Sequence, residues 1–244
     1  MDVALEIAVQ DPEGVAAAVA GGADRIELCT ALALGGLTPS AGLVRAAVAA
    51  GRPVHVLVRP RAGGFEYSAV ELAVILDDVR RALDLGAHGV VVGGVRGERI
   101  DTALVERVRA LAGPAEVTFH RAFDTLPDLE PALEVLADLG VDRVLTSGGA
   151  SRVADGLPQL ERLVARADGR LEVMAGSGID AAVVRAVVAT GVAAVHASAK
   201  RTVHEASRVD LGSLAQAGAS AREATDQAAV RALRTALDEL RRPD

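Results

Sequence analysis

One pattern is repeated along most of this chain: a short run of β-branched and aliphatic residues, followed by an alanine- and leucine-rich segment with helical spacing. The runs predict strands at residues 3–9, 25–29, 54–59, 89–92, 116–120, 143–146, 171–175 and 194–197. The intervening segments predict helices at residues 12–20, 40–50, 68–85, 101–111, 129–139, 156–167 and 180–189. Strand–helix units that alternate without a break in composition predict an α/β fold, a closed (β/α)8 TIM barrel.

Local signals support these boundaries. Asp11-Pro12, Ser40 after Thr38-Pro39, and Ser68 with Glu71 are typical helix starts, and glycine turns precede several strands. An open, doubly wound sheet is the alternative fold, and it requires a dinucleotide-type glycine loop after an early strand. The nearest candidate, GGL at residues 35–37, lacks that spacing. The closed barrel is therefore the better prediction.

The whole chain, 1–244, is expected to be one domain, with a barrel core at about residues 3–200 and a loop and helix at 201–244. Thr225-Asp226 caps the last helix, and its apolar face comprises Val230, Leu233, Leu237 and Leu240. That face predicts packing on the barrel or on a second subunit, as in a homodimer.

Composition excludes several classes of function. The formal net charge is −7 and aromatic residues make up 2% of the chain, so a nucleic-acid partner is not expected. A single cysteine, Cys29, excludes an intramolecular disulfide. No apolar stretch approaches the roughly twenty residues that span a bilayer, and we expect a cytoplasmic protein without a membrane segment.

Polar and ionisable side chains collect where the predicted strands end. His120, Arg121 and Asp124, for example, follow an apolar run. Side chains two residues apart share a face of a strand, and the active sites of barrels lie at the carboxyl ends of their strands, a region we call the mouth. The predicted mouth contains Glu6, Glu27, Cys29, Arg59, Arg61, His120, Arg121, Asp124, His196 and Ser198.

These groups predict acid–base chemistry. Glu27 and His120 are assigned as general base and acid, with Glu6 and Asp124 orienting them. Isomerisation, aldol-type cleavage and hydrolysis all fit. For Glu6 the alternative is a structural ion pair with Arg59. A hard divalent metal held by Glu6, Glu27 and His120 is a further alternative.

A second group of residues predicts a site for a small anionic or phosphorylated substrate. Arg59, Arg61 and Arg121 supply guanidinium groups that suit phosphate or carboxylate. Glycine turns after the sixth and seventh strands expose backbone amides, as phosphate sites in barrels do. The proposed contacts there are Ser147, Gly148, Gly176, Gly178 and, after the eighth strand, Ser198. Alternatively, these glycines only permit tight turns.

Several segments of the sequence resemble the CutC copper-homeostasis family, and the resemblance covers about residues 5–200. The matching phrases are GADRIELC (22–29), GGLTPS (35–40), VRPR (58–61), FEYS (65–68), VTFHRAFD (117–124), LTSGG (145–149) and the glycine turn at 176–178.

This resemblance implies a cytoplasmic TIM barrel, often oligomeric, that is linked to copper tolerance and in some members binds cuprous ion through cysteines. Copper(I) prefers thiolate and thioether ligands. Cys29 would be its principal ligand, joined by Met174 and a histidine such as His196, or by Cys29 of a second subunit. Copper homeostasis and an enzymatic activity are thus the two functional hypotheses.

Overall fold

The computed structural model describes residues 3–204 and 221–241. Eight strands of this part form a closed barrel. In chain order they are β1 Ala4–Val9, β2 Arg25–Leu28, β3 Val54–Leu57, β4 Gly89–Val92, β5 Glu116–Phe119, β6 Arg143–Thr146, β7 Glu172–Ala175 and β8 Ala194–Ala197. All neighbours are parallel, and β8 pairs with β1, for instance His196 with Glu6. The predicted fold class is confirmed.

Helices connect the strands and cover the outside of the barrel. They are α1 Pro12–Gly21, α2 Ala41–Val48, α3 Ala69–Asp84, α4 Thr102–Ala112, α5 Leu129–Asp138, α6 Leu157–Ala167, α7 Val184–Ala189 and α8 Gln227–Arg241. The predicted starts are confirmed: Asp11 and Ser40 accept hydrogen bonds from first-turn amides, and Ser68 and Glu71 form a capping box. None of the helices in the described residues is long and apolar enough to cross a membrane.

The last helix takes the first of the two places that the sequence allowed, packing on the barrel. Helix α8 packs against α1, α7 and β1, so it forms part of the helical ring around the barrel. Val230, Leu233 and Leu237 are buried there, and Leu240 is partly buried. This apolar face therefore belongs to the barrel and is not available to pair two subunits.

Two small hairpins were not predicted. One pairs Val95–Arg96 with Arg99–Ile100 after β4, and the other pairs Lys200–His204 with Ala221–Thr225 between β8 and α8. The second replaces the start of the loop expected after residue 200, and residues 205–220 lie outside the described ones.

Several predicted strands end one or two residues early, yet their alternation continues into the mouth. The amide of Cys29 still donates to Val9 O at 2.9 Å, and that of His120 to Val92 O at 2.8 Å. The side chains just beyond the strands are therefore held in the geometry of the barrel.

The interior of the barrel contains charged groups as well as apolar ones. Glu6 is fully buried, and the Nε of Arg25 donates to its Oε2 at 2.5 Å. At the end of the barrel where the strands begin, Arg143 is buried against Glu116 and Glu172. Burying an ion costs roughly several kcal/mol unless a partner of opposite charge offsets this cost. The strand register places Arg25 directly beside Glu6, and this provides the partner.

We predict that Arg25→Met lowers the free energy of unfolding by about 3–5 kcal/mol, because Glu6 would remain buried without its cation. Urea unfolding measures the effect, with Arg80→Met as control. Arg80 forms an exposed pair with Asp77, and its loss should cost less than about 1 kcal/mol. The double variant Arg25→Met, Glu6→Gln should recover part of the loss. Equal effects of Arg25→Met and Arg80→Met would contradict the stabilising role of this ion pair.

Candidate functional site

A cavity of about 390 Å³ opens at the mouth of the barrel. Its wall is formed by strand ends and by the loops that follow them. Its lining residues are Ala8, Glu27, Leu32, Leu34, Gly35, Gly36, Leu57, Arg59, Phe65, His120, Arg121, Leu145, Ser177, Gly178, Ile179, His196, Ala197 and Ser198. Most predicted mouth residues therefore reach one cavity, and this mouth cavity is the candidate site.

Glu6, His196 and Glu27 form a row of interacting side chains at this cavity. Nδ1 of His196 lies 2.8 Å from Oε1 of Glu6, and its Nε2 lies 3.7 Å from Oε2 of Glu27. Arg25 holds the other oxygen of Glu6. Glu6 thus fixes one nitrogen of the imidazole, and the other nitrogen faces Glu27. His196 and Glu27 line the cavity.

The two carboxyl groups have opposite electrostatic environments. Burial alone would raise the pKa of Glu6, but Arg25 and then His196 hold it well below its usual range. Burial raises the pKa of Glu27 to about 7, and the charge of Glu6 adds to this rise. Burial would lower the pKa of His196, yet Glu27 and Glu6 outweigh it and raise that pKa above its ordinary value. Near neutral pH, Glu27 and His196 can therefore exchange a proton while Glu6 stays ionised.

The structure corrects the predicted partner of Glu27. His120 was assigned as the general acid that acts with Glu27, but its Nδ1 accepts a hydrogen bond from the amide of Ala122 at 3.1 Å. Burial, with help from the charge of Arg59, lowers the pKa of His120 to about 3, so the ring is neutral. His196, which the sequence suggested only as a metal ligand, stands beside Glu27 instead.

The three predicted anion-binding arginines have different surroundings. Arg59 lines the cavity, and its two terminal nitrogens donate to the carbonyl oxygens of Leu34, Gly36 and Gly63 at 2.8–3.0 Å. The pair of Arg59 with Glu6, given above as an alternative, does not form, because Arg25 is the partner of Glu6.

Arg61 lies outside the lining of the cavity. It pairs with Glu71, and its guanidinium carbon lies 5.2 Å from the ring centre of Tyr67. Arg121 reaches the cavity, but its Nε donates to Asp124 at 2.7 Å.

The predicted anion site after β6 is filled by a side chain of the protein. The Asp124 carboxylate accepts hydrogen bonds from the amides of Ser147 and Gly149 at 3.1–3.2 Å and from the hydroxyl of Thr146 at 2.5 Å. The amide of Gly148 donates to Thr146 Oγ1. Ser147 and Gly148 are therefore not free to bind a substrate anion, and Asp124 organises this turn instead of orienting His120.

The turn after β7 has a similar backbone but no such internal anion. Ser177 and Gly178 have φ values of 79° and 77°, close to the 73° and 74° of Gly148 and Gly149. No carboxylate of the described residues accepts a hydrogen bond from it. Gly178 lines the cavity, as does Ser198, which follows the neighbouring strand β8.

Gly176 has a spatial role. Its amide donates to Thr146 O at 2.9 Å, and a Cβ at this position would come within 2.6 Å of Leu145. It therefore permits close packing at the mouth and does not present a free amide to the cavity.

Cys29 is enclosed in an apolar cluster. It is fully buried beside Leu57 and Val91, and its thiol lies 3.5 Å from Val9 O. Burial, with the nearby charge of Glu27, raises the pKa of the thiol far above its ordinary value. Cys29 is thus a neutral thiol, although thiolate is the form that binds metal.

Among the described residues, one group of three His, Cys, Asp or Glu side chains has the spacing of a metal site: Glu6, Glu27 and His196. Their ligand atoms lie within 4.8 Å of one another. Two carboxylates and one imidazole suit a harder divalent ion better than cuprous ion. Arg25, however, already neutralises Glu6. His196 occupies the place in this group that was expected for His120.

Two contributors to the site were missed in the sequence. Arg25 lies two residues before Glu27, so strand alternation could have placed it on the same inner face. Phe65 lines the cavity from a loop between Arg59 and His120. Two signals could have drawn attention to it: the scarcity of aromatic residues, with three phenylalanines in the chain, and its place in the family-like segment FEYS at residues 65–68.

We predict that Glu27→Gln stabilises the protein at pH 8 but not below pH 4. The folded-state pKa of Glu27 lies near 7, above its ordinary 4.5. Its contribution to stability is thus present below about 4.5 and is lost as the pH rises through 7. The variant cannot ionise and should gain about 1–3 kcal/mol at pH 8. Urea unfolding across pH tests this, with the exposed Glu106→Gln as control. The same pH profile for all three proteins would contradict the prediction.

Comparison with known proteins gives concordant matches. The model of the CutC family matches residues 3–201. The family protein CutC of Sinorhizobium medicae is 43% identical over 242 residues, which cover 98% of this chain and 97% of that protein. The corresponding protein of Agrobacterium fabrum is 45% identical over 235 residues, with coverage of 96% and 93%.

Comparison with solved structures also identifies a CutC protein. The CutC protein of Streptococcus agalactiae, which is named for copper homeostasis, is 30% identical and has a TM-score of 0.76 over 80% of this chain and 98% of that chain. Thiamine phosphate pyrophosphorylase from Pyrococcus furiosus, 17% identical with a TM-score of 0.61 over 98% of this chain and 97% of that chain, shares only the fold. From the family match and these identities, the chain belongs to the CutC family.

Proposed function

We propose that this CutC protein is an enzyme that transfers a proton on a small anionic substrate bound in the mouth cavity. One observation carries this proposal: Glu27 and His196 face each other at 3.7 Å where both line the cavity. Burial raises the pKa of Glu27 to about 7, and the pKa of His196 is also raised, because Glu27 and Glu6 outweigh the lowering effect of burial. A general acid and base are most effective when their pKa values lie near the working pH.

Each member of the row has a defined role in this proposal. Glu27, as carboxylate, removes a proton from the substrate, and protonated His196 returns one. Glu6 stays ionised beside Arg25, so it stabilises the imidazolium and fixes the orientation of the ring. Glu6 and Arg25 are therefore positioning residues, while Glu27 and His196 touch the substrate.

Positive charge at the cavity supports an anionic substrate. Arg59 is only 6% exposed, and within the described part of the chain it forms no ion pair with a carboxylate. A buried cation without a counter-ion favours an anionic ligand. Across the cavity, Ser177 and Gly178 have φ angles close to those of Gly148 and Gly149, in the turn whose amides bind the Asp124 carboxylate. This turn supports a second contact with a negative group.

The experiment is a screen for solvent deuterium incorporation into small hydroxycarbonyl acids and their phosphate esters, followed by NMR. With any compound that exchanges, Glu27→Gln and His196→Gln should each reduce the rate by about 10²–10⁴-fold. Glu106→Gln, an exposed substitution on α4, should leave it unchanged. Exchange that persists in Glu27→Gln would overturn the assigned role of Glu27.

Copper homeostasis is the second candidate, because the relative from Streptococcus agalactiae is named for it. The residues do not fit a cuprous site at Cys29. No group of three His, Cys, Asp or Glu ligands in the described residues includes this thiol. Met174 contacts the guanidinium of Arg25 at 3.4 Å and packs in a different apolar cluster.

We therefore predict weak copper(I) uptake that does not depend on Cys29. Equilibrium dialysis of the reduced protein against a buffered cuprous complex should give the same result for the wild type and Cys29→Ser, because the thiol is buried and neutral. Stoichiometric binding that disappears in Cys29→Ser would support the copper function and show that the buried thiol is a copper ligand after all.

A further inference from the structure

Two buried donors at the mouth cavity are left without acceptors, and they lie outside the row formed by Glu6, His196 and Glu27. Nε2 of His120 and Nε of Arg59 are both buried, and neither has a hydrogen-bond partner among the described residues. Both residues line the cavity. Unpaired buried donors are costly, so their presence on two residues that line one cavity favours a ligand that supplies an acceptor.

The hydrogen bond from Ala122 determines what His120 can do. A backbone amide can only donate, so Nδ1 of His120 is an acceptor and the ring proton lies on Nε2. The side chain therefore presents an N–H, and its low pKa, about 3, keeps it uncharged at neutral pH. Its natural partner is an oxygen that carries negative charge.

The ring of His120 is held firmly in this position. Its centre lies 4.9 Å from that of Phe65, and the residue's amide donates to Val92 O. Gly93 leaves room for the ring, because a Cβ at that position would collide with it. A donor that is already oriented costs little to reorganise when charge develops nearby.

Arg59 provides charge on the same side of the cavity. Its guanidinium carbon lies 5.1 Å from the centre of Phe65, on whose ring His120 also packs. Carbonyl oxygens fix its terminal nitrogens and do not neutralise it. A neutral N–H and a fixed cation thus flank one part of the cavity.

We propose that His120 and Arg59 form an oxyanion site, and that the substrate of the proposed reaction is a carbonyl compound with a C–H next to its carbonyl group. This inference rests on the proposed proton transfer by Glu27. Glu27 takes the proton, the C–H electron pair forms a C=C bond, and the carbonyl π pair moves to oxygen as an enolate. His120 and Arg59 stabilise that oxygen, and reprotonation by Glu27 or His196 completes the reaction without net oxidation. Neutral imidazole serves as such an electrophile in known isomerases.

The test uses oxalate, a planar mimic of an enolate, with lactate as the non-planar comparison. Calorimetry should show that the wild type binds oxalate more tightly than lactate. His120→Phe keeps the ring shape but removes the donor, and should weaken oxalate binding by about tenfold or more. His120→Gln restores an N–H at a similar distance and should retain most of the affinity. Thermal unfolding of both variants checks that they fold.

A second measurement needs no ligand. In ¹⁵N-histidine NMR spectra, His120 should show a protonated Nε2 and a bare Nδ1, unchanged from about pH 5 to 9, because its pKa lies well below this range. A ring that titrates in this range, no detectable oxalate binding by the wild type, or equal oxalate affinity in His120→Phe would each overturn the inference. Oxalate binding that depends on His120, with no deuterium exchange by Glu27 in any compound, would instead leave the oxyanion site standing and refute the proposed proton transfer.

Discussion

The buried ion pair between Glu6 and Arg25 is the interaction on which the site depends. Glu6 has no solvent exposure, so it can stay ionised only if the protein supplies compensating charge and hydrogen bonds. The register between β1 and β2 places Arg25 beside one oxygen, and the pairing of β1 with β8 places His196 beside the other. Closure of the barrel is therefore what brings the two partners to a single carboxylate, and the orientation of His196 follows from it.

Two glutamates on neighbouring strands have pKa values that are shifted in opposite directions. Arg25 and His196 outweigh burial and hold the pKa of Glu6 well below its usual range, whereas burial raises the pKa of Glu27 even though His196 lies 3.7 Å away. His120 and His196 differ in a comparable way, since one accepts from a backbone amide and the other faces two carboxyl groups. Local partners thus give two glutamates and two histidines four different electrostatic environments, and the proposed roles of anion, base, acid and neutral donor follow from them.

Much of the fold could be predicted from sequence, because strand runs, caps and glycine turns are local signals. The caps at Asp11, Ser40 and Ser68 form as expected. Which mouth residues touch each other depends on the stagger between strands, and a single sequence does not contain that information. The alternative pairing of Glu6 with Arg59 therefore missed Arg25, and the assignment of Glu27 and His120 as base and acid missed His196. The burial of Cys29 also depends on Leu57 and Val91, which come from two other strands.

The occupation of the turn after β6 by Asp124 has a consequence for selectivity. A tethered carboxylate is present at a very high effective concentration compared with a dissolved ion. Inorganic phosphate in the surrounding solution therefore competes poorly for the amides of Ser147 and Gly149, and this loop keeps its shape whether or not a metabolite is present. This part of the rim is thus organised in advance by a carboxylate of the chain itself.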